Sequence, residues 1–225
     1  MSGQINRGSF FGEQIYNLSL NKNFQNYVEV GTWNGEGSTK CFMDGLLQRT
    51  DDSTLYSLEA NIEFYQQAKQ YWDPLLLTVR HPTPKMSLIY GRIIEAEELV
   101  SAEEVENHPR FSQHPWLEWR ARNIKEYGEC ENVLHNLPDE IDVLLLDGGQ
   151  FSTRSEFHKL KSRTKIVLLD DTLSFKTEKA RQDMIDDPDN WTIIFDNVQD
   201  RHGVFMACRN EHINSLNHTE QISGR

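Results

Sequence analysis

Seven short stretches of this chain favour extended backbone, and the first five share the feature that most narrows the fold. "NYVEVG" (26–31), "TLYSLEA" (54–60), "MSLIYG" (86–91), "IDVLLLDG" (141–148) and "TKIVLLDD" (164–171) are separated by segments able to form helices. Several are continuous apolar runs with little alternation, which suits strands buried on both faces of a parallel sheet. The last two, "WTIIFDN" (191–197) and "GVFMACR" (203–209), are joined by the short "VQDRH" region and read as an antiparallel hairpin. Strand and helix in alternation, then a hairpin, predict an α/β three-layer sandwich.

The intervening segments support helices. Residues 61–72 place Ile62, Tyr65, Ala68 and Trp72 near helical spacing, with Asn61 as N-cap. Ser38 and Thr39 are expected to cap the helix that follows the first strand. About fifty residues lie between the third and fourth strands, too many for one helix and its loops. A helical insert at about 94–136 is expected, serving as a lid or a subunit contact, with a solvated elaboration as the other reading. The domain is expected to span 1–210, and residues 211–225 to form a flexible tail.

At 225 residues one domain can bury a sufficient core without disulfides, and Cys41, Cys130 and Cys208, far apart and with no CxxC, are expected to be free thiols. No apolar run approaches the ~20 residues of a membrane span, and the N-terminus lacks a signal-peptide core, so a cytoplasmic protein with no membrane partner is expected. The net charge of -12 disfavours nucleic acid, whose binders need a basic footprint. A small-molecule partner is the expectation.

"YVEVGTWNGEGST" (27–39) places Gly31, Gly35 and Gly37 directly after the first strand. In open α/β sheets ligands bind beyond the carboxyl ends of the strands, where such a turn leaves the backbone bare. The spacing G-x-x-x-G-x-G fits neither the dinucleotide fingerprint nor a phosphate loop. Glu59, at the end of the second strand, can accept hydrogen bonds from two ribose hydroxyls. Turn and carboxylate together describe a nucleoside pocket, although a tight turn and a solvated glutamate would look the same.

The series resembles the class I S-adenosylmethionine-dependent methyltransferases. "VEVGTWNGEGST" looks like their E-x-G-x-x-x-G first motif, "SLEA" their acidic second motif and "IDVLLLDGG" their fourth, and the resemblance covers most of residues 26–209 outside the insert. It implies a Rossmann-like, seven-stranded sheet of order 3-2-1-4-5-7-6 with the last strand antiparallel. It implies S-adenosylmethionine as cofactor, with Glu29 and Gly31 against the methionine portion and Glu59 at the ribose. Thr32, Gly35, Ser38, Ala60 and Asp147 belong to the same implied site, and Arg92 and Ile93, after the third strand, flank the adenine. The acidic residue usual near the adenine is not evident.

Asp147 ends the fourth strand, and Asp170 and Asp171 end the fifth, so three carboxylates are expected on one edge of the crevice. Unpaired like charges so close would favour a divalent cation. The arrangement is similar to the metal-dependent O-methyltransferases of the catechol and caffeoyl type, which implies Mg²⁺ on Asp147, Asp170 and Asp171. Their lysine base is replaced here by Gln150, so either metal coordination alone acidifies the substrate or another group accepts the proton, with His158, Lys176 and His202 as candidates and His202 foremost. In the metal-free reading Asp147 contacts cofactor or substrate, Asp170 caps a loop and Asp171 is solvated. "LLDDTLSFKTEK" through "DRHGVFMA" looks like small methyltransferases of surface-glycan and natural-product pathways. The implied function is O-methylation of a small hydroxylated acceptor, with catalytic Asp147 and His202. A nicotinamide-dependent oxidoreductase and a non-catalytic nucleoside-binding protein remain the alternatives, and a homo-oligomer joined through the insert stays open.

Overall fold

The computed structural model describes residues 4–78, 85–108 and 115–216. Seven strands form one sheet: β1 (Asn26–Val30), β2 (Thr54–Glu59), β3 (Lys85–Tyr90), β4 (Ile141–Leu146), β5 (Thr164–Asp170), β6 (Trp191–Asn197) and β7 (Val204–Arg209). Their order is β3-β2-β1-β4-β5-β7-β6, as expected. The first five pair in parallel, and β7 runs antiparallel to both β5 and β6. The order reverses at β1, which pairs with β2 on one side and β4 on the other, and a crevice opens there.

The helices are α1 (Phe10–Leu20), α2 (Ser38–Leu46), α3 (Ile62–Thr78), α4 (Ala102–Glu106), α5 (Trp116–Glu129), α6 (Thr153–Leu160) and α7 (Glu178–Ile185). They cover both faces, which explains the continuous apolar strands. In β4, Val143 and Leu145 enter the core shared with Phe11, Phe42 and Trp72, while Leu144 and Leu146 enter the one shared with Phe157 and Tyr127. Asp142 interrupts that run because it accepts the amides of Gln25 and Asn26 at 2.7 and 2.8 Å and pairs with Lys165.

Four local expectations are corrected. α3 does not stop at Trp72 but continues through Pro74 to Thr78. Leu76 packs on the same core as Trp72 and Tyr71, a tertiary contact that overrides the helix-breaking tendency of proline. Ile62, counted on the apolar face, is exposed. The N-cap of α2 is Gly37, with no side-chain cap bond. The ordered chain also extends past 210: Asn210–Leu216 form a 3-10 turn whose Ser215 carbonyl accepts the side-chain amide of Asn21 at 3.0 Å. Residues 217–225 lie outside the described residues, as do 109–114 of the insert.

The N-terminal aromatics pack rather than border the crevice. Phe11 is buried, Phe10 stacks edge-on against Phe195, and Tyr16 lies under the Arg7 guanidinium. All three cysteines are free and buried. Among the described residues no helix is long and apolar enough to cross a membrane.

Candidate functional site

A cavity of about 430 Å³ opens at the carboxyl ends of β1, β2, β4 and β5, within the ~300–1,000 Å³ typical of small-molecule sites. Gly31, Thr32, Ser38, Glu59, Ala60, Arg92, Ile93 and Asp147 line it, together with Asp170 and Asp171. The sequence-predicted residues therefore converge, with Glu29, Gly35 and His202 as exceptions.

Gly31 holds φ at +99°, and a Cβ there would collide with the Asp147 carbonyl, so glycine lets the ends of β1 and β4 lie side by side. At its start the turn exposes main chain whose amides are engaged. The amides of Gly31 and Thr32 both bond to the Leu58 carbonyl, at 2.9 and 3.1 Å, and that of Trp33 to Glu59. Gly35 does not face the cavity. The Trp72 indole donates to its carbonyl at 2.9 Å, and a Cβ would meet the indole nitrogen at 2.7 Å. Its glycine serves the packing of α3.

Glu29 is fully buried away from the cavity wall. Ser38, Thr39 and Ser57 donate to it at 2.5, 2.6 and 2.5 Å. Burial raises its pKa against the pull of those three hydroxyls. The hydroxyls expected to cap α2 instead tie the helix to β1 and β2, and Glu29 is the post that holds the turn.

Glu59 accepts the backbone amides of Trp33 at 2.7 Å and Asn61 at 2.9 Å. Burial pushes its carboxyl up to about 7 against the two amides. Asn61 also receives the amides of Glu63 and Phe64, the expected cap of α3, and its side chain donates to Glu126 of α5 at 2.9 Å.

The insert borders the cavity through α5, which contributes Trp119, Asn123 and Glu126. Arg92 anchors it, donating to the Tyr127 carbonyl at 2.7 Å and pairing with Glu95 at 2.7 Å. Beneath α5 lies Glu156 of α6, 1% exposed and on the cavity wall. The Tyr127 hydroxyl donates to its Oε1 at 2.7 Å, while Oε2 is buried without a hydrogen-bond partner. Burial pushes its carboxyl up to about 7. No motif marks Glu156, because what places it is a contact between an insert helix and the first turn of α6.

The three aspartates meet as expected, with one carboxylate oxygen of each within 4.8 Å of the others. They are not, however, uncompensated. The Lys176 ammonium contacts Asp147 Oδ1 and lies 3.4 Å from Asp171 Oδ2. Arg201 grips Asp170 from Nε at 2.9 Å and from a terminal nitrogen at 2.7 Å. Burial by itself would lower the pKa of Lys176, but Asp147, Asp171 and Asp170 hold it above the ordinary lysine value. Two cations of the chain are thus seated on three carboxylates, while Asp171 Oδ1 is buried without a hydrogen-bond partner.

Of the candidate bases, only Lys176 borders the cavity. His202 is exposed and contributes only its carbonyl, which accepts the Leu173 amide at 2.8 Å. His158 pairs with Asp183 at 2.9 Å. Three non-glycine residues among those described have positive φ, namely Trp33 (51°), Asp171 (58°) and Arg201 (52°), and all three line the cavity. Strained backbone of this kind concentrates at functional sites.

No family model matches the chain, and no curated protein matches its sequence. Among solved structures it is similar to the O-methyltransferase from Bacillus cereus in complex with S-adenosylhomocysteine, at 13% identity and TM-score 0.55, over 88% of this chain and 80% of that one. It is similar to the S-adenosylhomocysteine-bound methyltransferase PaMTH1 from Podospora anserina, at 12% identity and TM-score 0.56, over 88% and 77%. The O-methyltransferase TomG from Streptomyces achromogenes, involved in tomaymycin synthesis and solved with S-adenosylmethionine, matches at 13% identity and TM-score 0.52, over 88% and 78%. At such identities the likeness speaks for architecture. The chain has the class I methyltransferase fold.

Proposed function

We propose that the chain is an S-adenosylmethionine-dependent methyltransferase acting on a hydroxyl of a small acceptor of the sugar or natural-product kind. One observation carries the reading: a single cavity joins a ribose-type carboxylate, Glu59, to the charged cluster of Asp147 and Lys176. The fold is also that of proteins solved with this cofactor or its product.

The residues suit an adenosyl group. Glu59, fixed by two amides, accepts the two ribose hydroxyls. Glu156 Oε2, buried and without a partner, accepts the amino group of adenine. It supplies from α6 the acidic residue missing after β3. The bare main chain at Gly31 gives the methionine portion a flat contact surface, not hydrogen bonds, since its amides are engaged. When bound, S-adenosylmethionine supplies a methyl group made electrophilic by the sulfonium. Asp147 takes the acceptor's proton, and Lys176 fixes the direction of its carboxylate. The remaining task of the site is to align an oxygen with the methyl carbon, which is positional catalysis.

Thermal unfolding with added cofactors tests the reading. S-adenosylhomocysteine should raise the midpoint and NADH should leave it unchanged. The reverse would favour the oxidoreductase, and no response to either would favour a protein without a nucleoside ligand.

A further inference from the structure

We propose that Lys176 is the resident cation of the acidic cluster, standing where a divalent ion would stand and presenting one donor to the methyl acceptor. The second half of this inference rests on the methyltransferase reading. The first does not.

The Lys176 side chain is 7% exposed and borders the cavity. An ammonium at such a site persists only where carboxylates surround it, and Asp147 and Asp171 do so here. Asp170 is neutralised separately by the two-pronged grip of Arg201. Both Asp171 and Arg201 hold left-handed backbone, so the fold accepts strain at the two residues that arrange these pairs. A divalent ion entering the cluster would meet a fixed ammonium a few ångströms away. It would have to displace that ammonium from two carboxylates.

The consequence concerns the acceptor. A divalent ion grips two neighbouring oxygens at once. An ammonium has three N–H donors, and Asp147 and Asp171 engage two of them. One donor remains, enough for one oxygen. The site therefore selects an acceptor through a lone hydroxyl and needs no vicinal pair. As that oxygen bonds to the methyl carbon, the carbon–sulfur bond breaks with its electrons going to sulfur. The hydroxyl proton passes to the Asp147 carboxylate.

Manganese titration followed by electron paramagnetic resonance tests the assignment. With S-adenosylhomocysteine present, the wild-type chain should leave the free Mn²⁺ signal undiminished at millimolar concentration. Lys176→Met, which empties the cluster of its ammonium at similar volume, should bind Mn²⁺ about tenfold or more tightly than wild type. Stoichiometric Mn²⁺ binding by the wild type, abolished by Asp171→Asn, would overturn the proposal and needs no lysine variant to be read. Binding of S-adenosylhomocysteine, followed separately by calorimetry, reports on the methyltransferase reading alone, so the two failures are distinguishable.

Discussion

Lys176, six residues beyond the end of β5, places its ammonium against the carboxylate of Asp147 at the end of β4. This contact sets a cation of the chain against one of three clustered carboxylates at the edge of the cavity. It also separates two roles within one site, because the cluster sits at β4 and β5 while Glu59 stands at β2.

Asp147→Asn keeps the volume but removes the charge. Methyl transfer should fall by at least about a hundredfold, the lower end of what a positioned base contributes. Affinity for S-adenosylhomocysteine should stay within about threefold, because the nucleoside contacts lie elsewhere. Calorimetry and single-turnover transfer on the same preparation check this. Equal loss of cofactor affinity in Asp147→Asn and Glu59→Ala would contradict the separation.

Glu59→Ala removes the acceptor for both ribose hydroxyls. Hydrogen bonds to a charged group are worth about 1.5–3 kcal/mol, so the cofactor should bind roughly ten- to a hundredfold more weakly. The Trp33 and Asn61 amides lose their partner as well, so the unfolding midpoint should drop. An unchanged dissociation constant would remove the carboxylate from the binding site.

Glu29→Ala should behave differently despite its place in the first motif. It removes the shared acceptor of three buried hydroxyls, those of Ser38, Thr39 and Ser57, of which Ser57 keeps its contact with Thr32, and should destabilise the fold by about 3 kcal/mol. Cofactor affinity of the folded protein should change little. Denaturant unfolding and calorimetry together decide this. A variant as stable as wild type that no longer binds cofactor would show that Glu29 touches the ligand after all.

The pH dependence of stability follows from carboxyls whose pKa is raised. Glu156, held up to about 7 by burial, keeps its proton in the folded chain where the unfolded chain has lost it. Its contribution is therefore complete below about 4.5 and is lost as pH rises through about 7. Glu59 acts in the same direction. Between pH 5 and 8 the free protein should lose stability, and Glu156→Gln should flatten that loss by up to about 3 kcal/mol. A variant with the wild-type slope would show that Glu156 does not titrate in this window.

The sheet was readable because burial on both faces left continuous apolar strands in β4 and β5, and the hairpin left a short turn before Gly203. Parts of the site were readable too. Glu59, Asp147, Asp170 and Asp171 each end a strand, and strand ends are where such a fold puts its ligands. What the sequence hid was direction. Glu29 and Glu59 are both carboxylates on neighbouring strands, but Glu29 points at hydroxyls of α2 and β2, and only Glu59 reaches the cavity. Lys176 stood only among the candidate bases and Arg201 carried no signal, because loop geometry is what brings both onto the aspartates. Glu156 had no signal, since its partner Tyr127 belongs to an insert whose docking no local pattern records. Gly35 carried a misleading one, since packing against Trp72 demands glycine as firmly as a ligand would.

The most direct test of the account is a crystal structure of the chain grown with S-adenosylhomocysteine. The expected result is the ligand with its amino-acid portion flush against Gly31, its ribose hydroxyls on Glu59 and its adenine amino group on Glu156. An adenosyl group bound elsewhere, or a groove filled by the protein's own side chains with no nucleoside in it, would contradict it.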